Sequence, residues 1–315
     1  MLPLQGLLVV DFTWYLPGPF ASRELQRLGA RVVRVEPPEG DPMRSAAPAW
    51  HDAVNAGKES VVCDLKADPA LANALCARAD VVLDGFRPSV LERLGVVVPE
   101  TAVLCSVTGF GLGNRHEQRA GHDVNYLGWA GVLADTAPAM PPTQVADLAA
   151  GGLGAALEVV AALLERTRTG RGARRTVSMT HGSHRLVAHR LGGLPERMLT
   201  GALACYRIYT TADGRWLTVG ALEPKFFRRL CEVVGRLELG ERQFDPDQEA
   251  LAGRLAEAIA ARPLDEWLEL MDAADVSAGP VWTVAEAAAE FGLEPTGPAP
   301  ALGEHTEAWR AELEL

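Results

Sequence analysis

The first 110 or so residues repeat one alternation, a short apolar run followed by a segment with helical spacing. "LLVVDF" (7–12) gives way to "FASRELQRLG" (20–29), and "ARVVRVE" (30–36) follows the closing glycine. "SVVCDL" (60–65), "PALANALCARA" (69–79) and "VVLDGF" (81–86) repeat the cycle, as do "PSVLERLG" (88–95) and "TAVLCSVTGFG" (101–111). Strands so short and so uniformly apolar are buried on both faces, which requires helical crossovers between parallel neighbours. The pattern predicts an α/β domain built on an open Rossmann-like parallel sheet, with ligands at the carboxyl ends of its strands. No Gly-x-Gly-x-x-Gly follows the first strand and no Walker lysine loop occurs, so neither an ordinary dinucleotide site nor a P-loop is expected.

The longest helical signal is "DLAAGGLGAALEVVAALLER" (147–166). Leu153, Leu157, Val160 and Leu164 fall at i, i+4, i+7 and i+11, which predicts one buried stripe. Small residues crowd its first two turns and leave room for a neighbouring backbone or a ligand. "ARRTVSM" then returns as a strand. The texture changes after about residue 195, where "CYRIYTTADGRWLTVGAL" (205–222) reads as two strands around an Ala-Asp-Gly turn. Helical segments follow in "PKFFRRLCEVVG", "EALAGRLAEAIAA" and "LDEWLELMDAA". The expected organisation is a large domain over 1–190 and a smaller α+β domain over 200–290. The Pro/Gly-rich "EPTGPAPALGEHT" (294–306) lets 293–315 return to the first.

Composition narrows the functional classes. The net charge is −11, which argues against an extended nucleic-acid surface. The five cysteines are scattered without a Cys-x-x-Cys pair and read as free thiols of a reducing compartment. Neither they nor the seven histidines have metal-ligand spacing, so no metal is expected. No apolar run is expected to reach the ~18 to 20 residues of a membrane span. With no basic leader evident, a cytoplasmic location is the expectation.

Three acidic positions stand at helix starts. In "GHDVNY" (121–126), Asp123 reads as an N-cap, and the His122-Asp123 pair is also a candidate proton-transfer site. Asp147 is likewise a candidate N-cap of the long helix. Glu223, before Pro224, reads as a first-turn acid of the next helix. The basic residues Arg34, Arg44, Lys58, Lys66 and Arg87 stand beside glycines and prolines in the first hundred residues. They could hold a small anion or form a solvated face.

In order along the chain, "GLLVVDFTWYLPGPFASRELQRLGARVVRVEPPEGDPMR", "NAGKESVVCDLK", "ADVVLDGFRPSVLERLG" and "AGHDVNYLGWAGVL" match a known pattern. So do "VADLAAGGL", "RTRTGRGARRTVSM", "YTTADGRWLTVGALEPKF", "SAGPV" and "ALGEHT". Through nearly its whole length the chain resembles the family III CoA-transferase superfamily (CaiB/BaiF type), and within it the α-methylacyl-CoA racemases. The resemblance implies that Asp147 is the superfamily's shared carboxylate. In transferases that residue is a nucleophile toward the CoA thioester; in racemases it exchanges a proton with the α-carbon. His122 matches the opposing racemase base, and Glu223 a glutamate that orients it. On physical grounds, if a helix starts at "DVNY", the Asp123 backbone N–H lies at its N-terminus and suits donation to the enolate oxygen.

The resemblance further implies that CoA enters as part of an acyl-CoA substrate rather than as a cofactor. Arg87 is the first phosphate candidate, with Lys58, Lys66, Arg44 and Arg34 behind it, since cations are what a diphosphate and a 3′-phosphate require. It implies too an interlocked homodimer. The chain departs from the pattern in Pro37, where some racemases have a second arginine, in its few methionines, and in a shortened segment before "PAPALGEHT".

Overall fold

Six short strands carry the architecture: β1 (Leu8–Asp11), β2 (Arg31–Glu36), β3 (Glu59–Val62), β4 (Val81–Asp84), β5 (Val103–Thr108) and β6 (Arg174–Ser178). In the computed structural model they form one sheet in the order β3-β2-β1-β4-β5-β6, and every neighbouring pair is parallel. Val9, Val32 and Val81 stand in register and pack with Leu25, Val159 and Leu163 on one face. The next residues along, Val10, Val33 and Val82, pack with Leu71, Leu75 and Trp309 on the other. Burial on both faces is why the strands read as unbroken apolar runs. The strand order reverses between β1 and β4, and such a reversal opens a crevice at the carboxyl edge of the sheet.

Residues 1–191, 198–292 and 297–315 are described here. The chain divides into two units, Met1–Ala188 with Pro295–Leu315, and His189–Glu294. The boundaries expected near 190–200 and at 293, and the start of the expected linker, fall partly on 192–197 and 293–296, outside the described residues.

The long helix corrects two expectations. It begins as a π-helix, Ala146–Leu153, continues as the α-helix Gly154–Thr169, and stops at Gly170 in the left-handed region (φ 69°). The stripe expected to be buried faces outward, with Leu153, Leu157, Val160 and Leu164 exposed by 49, 70, 36 and 61%. The buried side is Ala155, Ala156, Val159, Ala162 and Leu163. Small side chains let the helix lie close on the sheet, where a row of leucines would hold it off. Contrary to expectation, Ala146–Thr169 is also long and apolar enough to cross a membrane, with a mean hydropathy of 1.7. Core helices pass the same test, and the inner face of this one belongs to the core, with Ala155, Val159 and Ala162 fully buried.

The last residues close the β3 edge. Ser60 N–H donates to His305 Nδ1 (3.2 Å), its carbonyl accepts from the His305 N–H (2.9 Å), and Val62 N–H donates to Thr306 Oγ1 (3.0 Å). Trp309, 1% exposed, donates from Nε1 to Glu59 and carries the Arg31 guanidinium over its ring.

The second unit is an antiparallel sheet of β7 (Tyr206–Thr210), β8 (Trp216–Gly220) and β9 (Ala278–Pro280) in that order. The turn between β7 and β8 has Gly214 at φ 75°, the left-handed position that the Ala-Asp-Gly signal supplies. Helices Pro224–Val233, Gln248–Ile259 and Leu264–Ala273 cover one sheet face around Leu217, Phe227, Leu230, Leu255 and Trp267.

Candidate active site

A cleft of about 660 Å³ occupies the crevice where the strand order reverses. The loop after β1 brings Trp14 and Tyr15 to it, the loop after β4 brings Phe86 and Arg87, and His122 and Asp147 also line it. The strand ends therefore gather residues that are more than a hundred positions apart.

"GHDVNY" has a packing logic of its own. A Cβ at Gly121 would lie 2.7 Å from Tyr126 Cε1, so glycine is required there, and the Tyr126 hydroxyl donates to the Gly121 carbonyl. The helix is Asp123–Trp129, and its N-cap is His122, not Asp123 as expected. The His122 N–H donates to Asn125 Oδ1 (3.0 Å), which fixes the backbone and leaves the imidazole exposed at the cleft. Asp123 becomes the first helical residue and is 5% exposed. Its carboxylate turns away from its own helix and accepts the Asp147 backbone N–H at 2.8 Å.

Asp147 is not an N-cap either. It sits in the first turn of the π-helix, whose N-cap is Val145. π-Helical turns are rare and concentrate at functional positions. Gly151 and Gly152 let this turn approach its neighbours: a Cβ on Gly152 would lie 2.6 Å from Phe20 Cδ1, and one on Gly151 3.0 Å from Met179 Cγ. Burial first, and the neighbouring Asp123 carboxylate second, push the Asp147 carboxyl from 3.8 up to about 7. A carboxyl poised there can hold or release a proton at neutral pH. Burial, with Asp147 and Asp123 adding to it, pushes the Tyr126 hydroxyl up to about 12, so it stays protonated.

Glu223 belongs to the second unit, where it is exposed and is the N-cap of Pro224–Val233, its carbonyl accepting from the Phe226 and Phe227 N–H groups.

The five expected phosphate contacts separate by depth. Arg87 is exposed on the cleft wall and has no carboxylate within ion-pair distance among the described residues. Lys66 is exposed on a smaller cavity of about 250 Å³ beyond the ends of β2 and β3. Arg34 and Lys58 are held inside, which corrects the expectation for them, and Arg44 is half-buried and paired within the fold. Arg34, 1% exposed, binds Asp41 (2.8 Å), the Thr13 carbonyl (3.3 Å) and His51 (2.9 Å). Lys58, 3% exposed, gives its ammonium to the Pro19 carbonyl, Ser22 and Asn55 at 2.8 to 2.9 Å. Burial drives its pKa well down. Arg44 is clamped on Glu36 (2.7 Å) and on the Pro300 carbonyl (2.9 Å). Burial alone would raise the Glu36 carboxyl, but the Arg44 hydrogen bond, the Arg34 charge and Ser60 outweigh it and hold Glu36 at about 2.

Arg34 and Lys58 support the loop after β1. Asp11, fully buried, accepts from the Thr13 N–H and from the Thr13 and Ser22 hydroxyls. A Cβ at Gly18 would lie 2.1 Å from Thr13 Oγ1, so the loop must fold against glycine. Cleft residues that the sequence reading passed over are Trp14 and Phe86, an edge-to-face pair 6.1 Å apart that borders both cavities. Tyr15 is another, with a backbone at φ 64° that an aromatic residue rarely adopts. The signal for all three was position, since they follow β1 and β4, the strands that flank the reversal. Among the described residues no three His, Cys, Asp or Glu side chains are grouped to hold a metal.

Known proteins resemble this chain in sequence and in fold. The human α-methylacyl-CoA racemase is 34% identical over 312 residues, covering 90% of this chain and 79% of that protein. An acetyl-CoA:oxalate CoA-transferase of Acetobacter aceti is 33% identical over 325 residues, covering 91% and 82%. Among solved structures, a hypothetical protein of Mycobacterium tuberculosis superposes with a TM-score of 0.85 at 29% identity, covering 98% of this chain and 99% of its own. A CaiB/BaiF family protein of Brucella suis also gives 0.85, at 27% identity and 99% of both chains. The family model for CoA-transferase family III matches residues 4–298, so the chain belongs to CoA-transferase family III, the family of CaiB/BaiF proteins and α-methylacyl-CoA racemases.

Proposed function

We propose that the protein is a racemase-type isomerase that epimerises the α-carbon of a 2-methylacyl-CoA thioester by a two-base mechanism. The observation that carries this reading is Asp147, a carboxyl raised to about 7 in the same cleft as an exposed imidazole. Inversion through a planar enolate needs a base on one face and an acid on the other, with the roles exchanged for the opposite epimer. A carboxyl raised to about 7, sharing a cleft with an imidazole, suits that exchange. His122 removes the α-proton from one epimer while Asp147, protonated, returns one to the other face; the second epimer runs the pair in reverse. The Asp123 N–H, a first-turn donor, is assigned to the developing enolate oxygen. Glu223 is assigned to orienting the imidazole.

CoA enters as part of the substrate. Arg87 is assigned to its phosphates, and the smaller cavity beside Lys66, behind Trp14 and Phe86, to its nucleotide end. A homodimer and a cytoplasmic location complete the reading.

The second reading is a family III CoA-transferase with Asp147 as nucleophile, favoured by the match to the Acetobacter aceti transferase. A nucleophilic carboxylate must be ionised, however, and the surroundings of Asp147 favour its protonated form, which serves acid–base work better. Incubation of each 2-methylacyl-CoA epimer in deuterium oxide separates the two. The racemase reading expects α-deuterium uptake, with His122→Ala and Asp147→Ala each blocking proton removal mainly from opposite epimers. Each loss should be about 10²- to 10⁴-fold. CoA transfer to a free acid without α-exchange would overturn it.

A further inference from the structure

Asp123 has a carboxylate that none of the assigned chemistry uses. It is 5% exposed, next in sequence to one proposed base, and hydrogen-bonded to the backbone of the other. The first N–H groups of a helix lack partners within it, and the π-helix has no side-chain cap of its own. Asp123 supplies one from a neighbouring helix.

We propose that Asp123 is a positioning residue: its carboxylate caps the π-helix from outside and keeps a fixed negative charge beside the Asp147 carboxyl. One side chain thus sets both where Asp147 sits and how readily it holds a proton. The inference deepens the two-base reading and rests on it for its catalytic consequence.

The other elements around Asp147 leave this part to Asp123. On its own helix, the Tyr126 hydroxyl is committed to the Gly121 carbonyl, and His122 lines the same cleft. The helices Pro17–Arg27 and Met179–Leu186 meet the π-helix through Pro17, Phe20 and Met179. Their charged groups turn elsewhere: Glu24 to Arg27, Arg23 over the Phe20 ring, His181 to Ser178 and His184 to the Ala130 carbonyl. Arg185 is exposed. On the helix that continues the π-helix, Glu158 and Glu165 pair with Arg175. Burial and the Asp123 charge, in that order, account for the raised Asp147 carboxyl. The arrangement also gives a physical reason for the His-Asp pairing in "GHDVNY". The residue after the first base restrains the second, so the helix start ties the two together.

Asp123→Asn separates the two duties, because its amide oxygen still accepts the Asp147 N–H while the charge is gone. The full chain is labelled with ¹³C at aspartate carboxyls, and the Asp147 signal, assigned by its loss in Asp147→Asn, is titrated without substrate. The wild type should titrate near 7, and Asp123→Asn should move that midpoint down by about one pH unit. In deuterium oxide, the direction that uses Asp147 as acid should then weaken at neutral pH and recover toward acid pH. Asp123→Ala should lose rate in both directions, and Asp123→Glu should restore the charge. Should Asp123→Asn fail to fold, Asp123→Ser keeps an acceptor without charge and carries the same titration. An unmoved midpoint in whichever of them folds overturns the proposal. A moved midpoint in a protein with no α-exchange upholds it and removes the racemase reading instead.

Discussion

Holding Asp147 near 7 has a thermodynamic cost that can be measured without any substrate. Its carboxyl has an ordinary value of 3.8 and is raised to about 7 in the fold. The unfolded chain therefore ionises it about three pH units earlier than the native one. At about 1.4 kcal/mol per pH unit, that gap is worth at most ~4 kcal/mol against the native state above pH 7. Because the side chain is only partly buried, screening reduces this to about 2 kcal/mol. The sign follows from the raised carboxyl: the penalty is absent below 3.8, grows between 3.8 and about 7, and is complete above that. Asp147→Asn removes the charge, keeps the shape and retains the N–H bonded to Asp123. It should stabilise the protein by about 2 kcal/mol in urea unfolding at pH 8, with the two curves converging near pH 4. A variant no more stable than wild type at pH 8, or an advantage that does not shrink toward pH 4, would refute the reasoning.

Three other outcomes are expected. Arg87→Ala should weaken CoA binding by about 1.5 to 3 kcal/mol in calorimetry with the fold intact, as loss of a charge-assisted contact to phosphate requires. Glu36→Gln should cost about 3 kcal/mol at pH 7. That contribution from the depressed carboxyl is complete above 4.5 and lost as pH falls toward about 2, so a difference that persists unchanged to pH 2.5 would dismiss it. Light scattering at micromolar concentration should give a dimer mass, and Leu157→Asp on the exposed leucine face should lower it; a monomeric wild type counts against assembly.

The sheet was legible because its inner strands are buried on both sides, and that requirement writes itself into the chain as apolar runs such as "LVV" (8–10) and "VVL" (81–83). The cleft was legible in part. His122, Asp147 and Arg87 meet in it, but their meeting is a property of strand order, which local pattern does not encode. The leucine stripe misled for a physical reason: periodicity marks a face and says nothing of what covers it. In this helix alanines, not leucines, fit against the sheet. Arg34 and Lys58 misled similarly, since a cation in sequence carries no depth, and both proved to be buried supports of the loop after β1. Asp123 looked like a cap and is one, but for the neighbouring π-helix.

The closure of β3 by residues near the carboxyl terminus has a consequence for biosynthesis. Every strand of the large sheet has been synthesised once Ser178 is made, yet the outer edge of that sheet still awaits Thr306 and Trp309. The wait is roughly 130 residues, or roughly 6 to 25 s at ordinary rates of translation. Throughout it, the nascent sheet presents a bare row of N–H and C=O groups at β3, the kind of edge that recruits other strands. The second unit, His189–Glu294, is meanwhile synthesised in full. Ribosome-bound chains halted before His305 should therefore be the aggregation-prone species, and the final turns of helix act as the late clasp that ends that exposure.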